Sequence, residues 1–256
     1  MEKINSEEKP NIDTSLAWEA YWNKASRLSN LILWDCDPKL AVARDLSRFK
    51  NLMDSQLPLI DFACGNGRQT LFLADHFIRV IGVDVSKSAL EMAKAQQNAL
   101  NIEYRVLDGL KPQQAEALHS EIGDANIYMR GAFHHIPVER RYDCAKSLQI
   151  LLGNQGIIYL IEISTKAINY FNSLRAEMKY KNPHKERTIL FEHGIRPGTV
   201  ALKDIVNFFS EFEVLKSGED FFDIAVPLPN GDYPKLPALY TVMKHKPVLP
   251  LSEVTK

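Results

Sequence analysis

The sequence predicts an α/β fold in which a doubly wound, mostly parallel sheet carries helices on both faces. Short apolar stretches alternate with stretches of helical spacing between residues 57 and 164. The apolar stretches contain few polar residues, as strands covered on both faces do. Short links join the two kinds of segment, which favours neighbouring parallel strands.

Composition sets the class of protein. The chain has 256 residues, enough for one full α/β domain with additions, and its 45% hydrophobic and 25% charged residues are typical of a soluble protein. A net charge of -1 gives no bulk attraction to nucleic acid or to an anionic membrane. No apolar run approaches the ~18 residues of a membrane span, and the polar start "MEKINSEEKPN" lacks a signal-peptide core. Three cysteines without zinc or redox spacing favour a cytoplasmic location.

The N-terminal region is predicted to be a flexible tail, residues 1–13, followed by a single domain over residues 14–256. Two lid helices are expected within residues 14–56. The first, "TSLAWEAYWNKASRL", has Thr14 or Ser15 as its cap. The second, "DPKLAVARDLSRFKNLM", has Asp37 as its cap and Pro38 in its first turn.

The central region, residues 57–164, is predicted to hold five parallel strands and the helices between them, with Ser86 capping one helix. The strands are "LPLIDFAC", "IRVIGVDV", "NIEYRVLD", "DANIYMR" and "GIIYLIEIS". Residues 165–200 are expected to form an insertion or cap, and residues 201–246 a C-terminal helix and two strands. We expect Thr199 to cap that helix. The strands "EVLKSGED" and "LPALYTVMKHK" are joined without a helix, so they are predicted to pair antiparallel.

The stretch "DFACGNG", from Asp61 to Gly67, predicts a ligand site at the end of the first strand. Ligands of open α/β sheets bind beyond the carboxyl ends of the strands, and glycine lets a ligand approach the main chain. The letters "GNGRQT" from Gly65 lack the third glycine of a dinucleotide site. A carboxylate at Asp61 would repel a pyrophosphate, but it suits a ligand with an ammonium group and a positive sulfur.

The same stretch resembles the first motif of class I S-adenosylmethionine-dependent methyltransferases, usually D/E-x-G-x-G-x-G, with Ala63 in place of the first glycine. Later strand-end motifs follow in order: "VIGVDVS", "RVLDGL", "ANIYMRGAFHHI" and "GNQGIIYLIEI". The resemblance covers residues 57–164 and is weaker in the last two strands. It implies a Rossmann-like methyltransferase fold of seven strands that uses S-adenosyl-L-methionine as its cofactor and no metal.

The resemblance also implies a set of cofactor contacts. Asp84 would accept hydrogen bonds from the ribose hydroxyls, and Asp108 would contact the adenine amino group. Tyr21 and Trp22 would belong to a lid with an aromatic face near the sulfonium. The full set is Tyr21, Trp22, Asp61, Ala63, Gly65, Gly67, Asp84, Val85, Asp108, Gly109 and Arg130. Plainer roles as turn glycines, helix caps and core residues stay open for these positions.

His134 and His135 follow the fourth strand and are the candidate catalytic residues. An imidazole titrates near neutral pH, which suits a base that takes a proton from an acceptor hydroxyl. A histidine at a helix start with a satisfied hydrogen bond is the structural alternative.

The predicted reaction is methyl transfer to a small organic acceptor by direct in-line displacement. The D/N-P-P-Y/F segment of amine- and adenine-methylating relatives is replaced by "RGAFHH", which, with the near-neutral charge, argues against DNA as a partner. Three alternatives stay open: a repurposed fold that binds the cofactor without methyl transfer, a nicotinamide-linked oxidoreductase, and an RNA-modifying enzyme. The sequence leaves open the acceptor, the atom that is methylated and the oligomeric state.

Overall fold

A computed structural model describes residues 13–25, 32, 34–170, 172, 190–225 and 231–246. Its strands are β1 (Leu59–Phe62), β2 (Val80–Asp84), β3 (Ile102–Val106), β4 (Asn126–Arg130), β5 (Ile157–Ile163), β6 (Phe212–Asp223) and β7 (Lys235–His245). They form one seven-stranded sheet in the order β3-β2-β1-β4-β5-β7-β6. Strands β1 to β5 are parallel, and β7 pairs antiparallel with both β5 and β6. The predicted fold class is confirmed.

Helices flank this sheet. They are α1 (Thr14–Ala25), α2 (Pro38–Phe49), α3 (Arg68–Ala74), α4 (Lys87–Gln96), α5 (Pro112–Ile122), α6 (Arg141–Leu152) and α7 (Leu202–Phe208). Two 3-10 turns, Phe133–His135 and Val138–Arg140, lie between β4 and α6. We name the first of these the histidine turn.

Two helix caps follow the sequence prediction. The side chain of Asp37 accepts a hydrogen bond from the N–H of Lys39, with Pro38 in the first turn of α2. The side chain of Ser86 accepts a bond from the N–H of Ala89 at the start of α4. Both caps are local, because donor and acceptor lie within three residues of each other.

Two other caps were predicted wrongly. At α1, Asp13 rather than Thr14 or Ser15 supplies the accepting carboxylate, with its Oδ1 3.0 Å from the N–H of Ser15. Helix α7 follows Ala201 rather than Thr199, and the carboxylate of Asp204 accepts the N–H of Ala201 at 2.9 Å. At α1 the aspartate accepts from the main chain at least as well as a threonine would. At α7 the acid is the third helical residue and reaches back to the N–H of the residue before the helix.

Parts of the prediction lie outside the described residues. The tail of residues 1–12 is among them, and so are residues 171 and 173–189 of the expected insertion. Residues 166–170, near the start of the expected insertion, are helical.

The sheet buries an apolar layer on each face, because successive strand residues point to opposite sides. Ile127 and Met129 belong to the layer that includes α5 and α6 residues, whereas Tyr128 packs with Phe49 of α2 on the other face. Strand order reverses between β1 and β4, so the connections that follow these two strands leave in opposite directions and a crevice forms at the carboxyl ends.

Candidate active site

A cleft of about 1090 Å³, open to solvent, lies at this crevice. The ends of β1 to β4, the histidine turn, α1 and the segment before α2 all contribute to it. Of the residues predicted for the site, nine line it: Trp22, Ala63, Gly65, Asp84, Val85, Asp108, Gly109, Arg130 and His135. Within the described chain, Tyr21, Asp61, Gly67 and His134 are not among the lining residues.

The glycine turn after β1 is built from left-handed residues. Gly65 has φ 56° and Gly67 has φ 74°, and Ala63 reaches φ 60° although it carries a Cβ. A Cβ on Gly67 would lie 2.8 Å from the Cβ of Ala93, so this glycine also lets α4 approach the turn. Gly67 therefore shapes the turn from behind the cleft.

Asp84 ties the turn to the tip of β2. Its Oδ2 accepts the N–H of Gly65 at 2.9 Å, and its Oδ1 accepts the N–H of Ser86 at 2.9 Å. Burial raises the pKa of Asp84 to about 6. A carboxylate offers about four acceptor positions, so these two bonds leave capacity for a ligand hydroxyl.

Asp61 lies beneath the turn, fully buried. Its Oδ2 accepts the hydroxyl of Thr70 at 2.6 Å, and burial raises the pKa of Asp61 to about 7, with a smaller effect from the charge of Asp84. Thr70 is the residue that replaces the third glycine of a dinucleotide site. Its side chain thus pairs with Asp61, a role that sequence reasoning missed.

The far end of the cleft lies beyond β3. Asp108 accepts the N–H of Leu110 at 3.0 Å, and its other oxygen is 3.1 Å from Nζ of Lys111. A Cβ on Gly109 would collide with the ring of Phe62. Apolar side chains, Val85 and Leu107 among them, line this end of the cleft.

Aromatic rings roof the cleft. Trp22 lies directly on the glycine turn, since a Cβ on Gly65 would be 2.7 Å from its Cζ2. Tyr21 is buried behind it and stacks on Trp34 with ring centroids 5.6 Å apart. Trp18 stands edge-on to His135, at 5.1 Å between centroids.

Helix α1, which carries most of this roof, is fastened to α4 by one acid. Glu19 accepts hydrogen bonds from the hydroxyl of Ser86 at 2.7 Å and from the hydroxyl of Ser88 at 2.6 Å. The N–H of Ser88 donates to the same carboxylate at 3.2 Å. These bonds hold the roof over the cleft.

Arg130 ends β4 as a buried cation, its side chain 1% exposed. Its Nη1 donates to Asp45 at 3.0 Å, and its guanidinium lies 4.1 Å from the ring centroid of Phe222. Its Nε and Nη2 have no hydrogen-bond partner among the described residues. The tyrosines Tyr128 and Tyr159 donate to the same Asp45, each at 2.8 Å.

The two histidines face different surroundings. His134 is buried, with its Nδ1 2.6 Å from Oε2 of Glu162. His135 lines the cleft, and its buried Nδ1 lacks a partner among the described residues. Burial, and to a smaller extent the neighbouring His134, lowers the pKa of His135 well below its ordinary value. His135 is therefore neutral at physiological pH.

The family model described as "Methyltransferase domain" matches residues 59–156. A solved structure, the SAM-dependent methyltransferase from Anabaena variabilis ATCC 29413, is 53% identical over 96% of this chain and 100% of its own, with a TM-score of 0.88. The chain belongs to the SAM-dependent methyltransferases. Its cofactor is S-adenosyl-L-methionine, as the resemblance implied.

Other solved structures show how widely this methyltransferase fold is shared. One described as "Conversion of a Disulfide Bond into a Thioacetal Group during Echinomycin Biosynthesis" is 17% identical over 91% of this chain and 93% of its own, with a TM-score of 0.67. A SAM-dependent methyltransferase from Methanosarcina mazei is 15% identical over 76% of this chain and 95% of its own, with a TM-score of 0.54. At such identities the likeness extends to the fold alone. No curated protein matches the chain.

Across the described ranges, no group of three or more His, Cys, Asp or Glu side chains is arranged to hold a metal ion. No helix in the same ranges is both long and apolar enough to span a membrane.

Proposed function

We propose that this methyltransferase transfers the methyl group of S-adenosyl-L-methionine to a small organic acceptor by direct in-line displacement. The observation that carries the proposal is one continuous cleft. It extends from Gly65 and Asp84, which are joined by a hydrogen bond, to the neutral imidazole of His135. The side chains of Trp18 and Trp22 belong to the aromatic roof above it. Cofactor groups and acceptor would thus meet in a single cleft.

The polar residues suggest how the cofactor is held. Asp84 would accept the ribose hydroxyls with its remaining acceptor capacity, and Asp108 would receive the adenine amino group. Asp61 would favour the ammonium group through its charge, from beneath the turn. Nε and Nη2 of Arg130 make no hydrogen bond among the described residues and suit the carboxylate of the cofactor or of an acceptor, with Nη2 also 4.0 Å from Oδ2 of Asp223.

The remaining predicted residues would shape the cofactor pocket. Ala63 and Gly65 would bring the main chain close to the cofactor, and Gly67 would maintain the turn from behind the cleft. Val85 and Gly109 would border the adenine. Tyr21 would support Trp22, whose ring face would lie near the sulfonium, because cations are attracted to aromatic faces.

The cofactor supplies a methyl group activated by a positively charged sulfur. The chain's own residues would align the acceptor behind that methyl group and exclude water, and alignment alone lowers a barrier by several kcal/mol, up to about 7–11. His135 would accept the proton released by an acceptor hydroxyl as the new bond to carbon forms. His134 would support it rather than react, because its Nδ1 is bound to Glu162.

A small acceptor suits a cleft that aromatic rings cover on one side. The net charge of -1 and the segment "RGAFHH" disfavour DNA. We place the enzyme in the cytoplasm, in line with its unpaired cysteines.

The test is incubation of the purified protein with methyl-labelled S-adenosylmethionine and a small-molecule extract of the source cells, followed by mass spectrometry of labelled products. One labelled small molecule is the expected result. Calorimetry with S-adenosylhomocysteine and with NAD runs beside it. Binding of S-adenosylhomocysteine without any labelled product would favour the non-catalytic alternative. Tight binding of NAD alone would favour the oxidoreductase.

A further inference from the structure

The carboxylate of Glu162, near the end of β5, is fully buried and bonded on both oxygens. Its Oε1 accepts the N–H groups of Ala132 at 3.0 Å and Phe133 at 2.8 Å. Its Oε2 accepts the N–H of His134 at 3.1 Å and lies 2.6 Å from Nδ1 of the same residue. One side chain therefore gathers three consecutive main-chain donors and an imidazole.

These bonds fix the conformation of the histidine turn. Three N–H groups aimed at one anion define the main-chain path from Ala132 to His134. Further bonds hold its flanks: the N–H of Gly131 donates to Ile161 at 2.9 Å, and the N–H of Gly198 donates to His134 at 2.9 Å. A buried acid in an apolar strand costs free energy unless hydrogen-bond donors surround it, and here residues 132–134 supply four donors.

The same carboxylate sets the protonation pattern of His134. Because an ionised carboxylate only accepts hydrogen bonds, Nδ1 of His134 carries the proton that points to Glu162. The His134 ring lies against His135, with centroids 4.1 Å apart and planes inclined by 37°. Any rotation of His134 would therefore change the space available to His135.

We infer that Glu162 is the positioning residue of the acceptor side: it fixes the histidine turn and the Nδ1–H form of His134, and through them it sets the His135 imidazole in the cleft. The inference rests on the proposed role of His135 as the base. Glu162 itself stays beneath the turn, away from the reacting atoms.

The decisive variant is Glu162→Gln, which keeps the shape but replaces one acceptor oxygen with an NH₂ group that faces N–H donors. The matched control is Asp124→Asn. Asp124 likewise accepts two main-chain N–H groups, of Asn154 and Gln155, and lies 2.9 Å from Nε2 of His119. It precedes β4, at the end of the sheet opposite the cleft.

The readout is the ¹⁵N spectrum of histidine-labelled full-length protein, which reports the tautomer of each imidazole without any acceptor. We expect the wild-type protein and Asp124→Asn to keep His134 in the Nδ1–H form. In Glu162→Gln we expect mixed His134 tautomers and shifted His135 signals. A folded Glu162→Gln protein with unchanged His134 and His135 signals would overturn the inference. If that variant fails to fold, His134→Phe replaces it and must shift the His135 signals.

Turnover of labelled product gives the second readout. Glu162→Gln should lower the rate by about 10- to 100-fold, since small misplacements of catalytic groups have effects of that size. Calorimetric affinity for S-adenosylhomocysteine should stay within about threefold. Equal turnover of Glu162→Gln and Asp124→Asn would reject the positioning role. Absence of product with the wild-type protein would instead reject the proposed function, and the spectrum would then decide the inference alone.

Discussion

Gly65 and Asp84 are joined by a hydrogen bond of 2.9 Å from the main-chain N–H of the glycine to Oδ2 of the carboxylate. The bond links the turn after β1 to the tip of β2, so these two lining segments of the cleft are held together. A second bond, from the N–H of Ser86, orients the other carboxylate oxygen. Asp84 is therefore fixed in place before any ligand arrives.

Asp84→Asn is expected to weaken the binding of S-adenosylhomocysteine by about 1–3 kcal/mol, because the amide offers one acceptor oxygen where the carboxylate offers two. Calorimetry measures the difference directly. The control is Asp75→Asn, at an exposed position after α3. Equal affinity of the two variants would contradict the ribose role of Asp84.

Asp61→Asn is expected to stabilise the free protein at pH 8 by on the order of 2 kcal/mol. Burial raises the pKa of Asp61 to about 7, above that of an unfolded aspartate, so the folded state holds the proton more tightly. The free energy by which protonated Asp61 stabilises the folded state is fully present below about pH 4, and it is lost as the pH rises through about 7.

Urea unfolding at pH 5 and pH 8 tests this expectation, with the exposed Asp54→Asn as control. The gain in free energy of unfolding of Asp61→Asn over the wild type should be large at pH 8 and small at pH 5. The reverse dependence on pH, or none, would show that Asp61 is not a buried carboxyl in solution.

Local signals in the sequence were enough to predict β1 to β5 and the caps Asp37 and Ser86. Each rests on a periodic pattern or on groups within a few residues of one another. The antiparallel pairing of β6 and β7 followed from the absence of a helix between their segments.

Tertiary contacts account for what the sequence did not predict. Asp61 and Thr70 are nine positions apart and meet because α3 folds back beneath the glycine turn. Glu162 reaches the histidine turn, 28 to 30 positions earlier, because β4 and β5 are parallel neighbours. An acid within an apolar strand is the one sequence signal that could have indicated such a buried pairing.

His135→Ala is expected to lower turnover about 100-fold or more while leaving the affinity for S-adenosylhomocysteine nearly unchanged, since a general base contributes about 10²–10⁴ in rate. His76→Ala, beside Lys50 and outside the cleft lining, is the control. Equal turnover of His135→Ala and His76→Ala would show that His135 has a structural role only.

The wild-type pH profile carries a related expectation. Because the pKa of His135 is lowered, the imidazole stays unprotonated when the pH falls through about 6.5, the ordinary value for histidine. Asp84 and Asp61, with pKa values of about 6 and 7, would also change turnover in this range, so the measurement follows the ¹⁵N signals of the His135 imidazole itself. These signals should not titrate near pH 6.5, and a transition centred there would mean that His135 has the pKa of a solvated histidine.

Glu19→Gln is expected to loosen the roof, because the amide keeps one acceptor oxygen where the carboxylate offers two to the hydroxyls of Ser86 and Ser88 and the N–H of Ser88. The affinity for S-adenosylhomocysteine should fall by about 1 kcal/mol, and the amides of α1 should exchange hydrogen faster. Glu91→Gln, exposed on α4, is the control. Unchanged exchange in α1 would show that Glu19 does not hold the helix.

Ala63→Gly is expected to stabilise the protein by up to about 1 kcal/mol. Ala63 has φ 60°, where a side chain costs about 1–2 kcal/mol, and the added freedom of glycine in the unfolded chain offsets about 0.4–1 kcal/mol of that gain. The same substitution at Ala43, exposed in the middle of α2, should destabilise by about 1 kcal/mol. Thermal unfolding of both variants separates the two effects, with Ala63→Gly expected to raise Tm by up to about 4 °C. A loss of stability at Ala63 equal to that at Ala43 would mean that position 63 is not left-handed in solution.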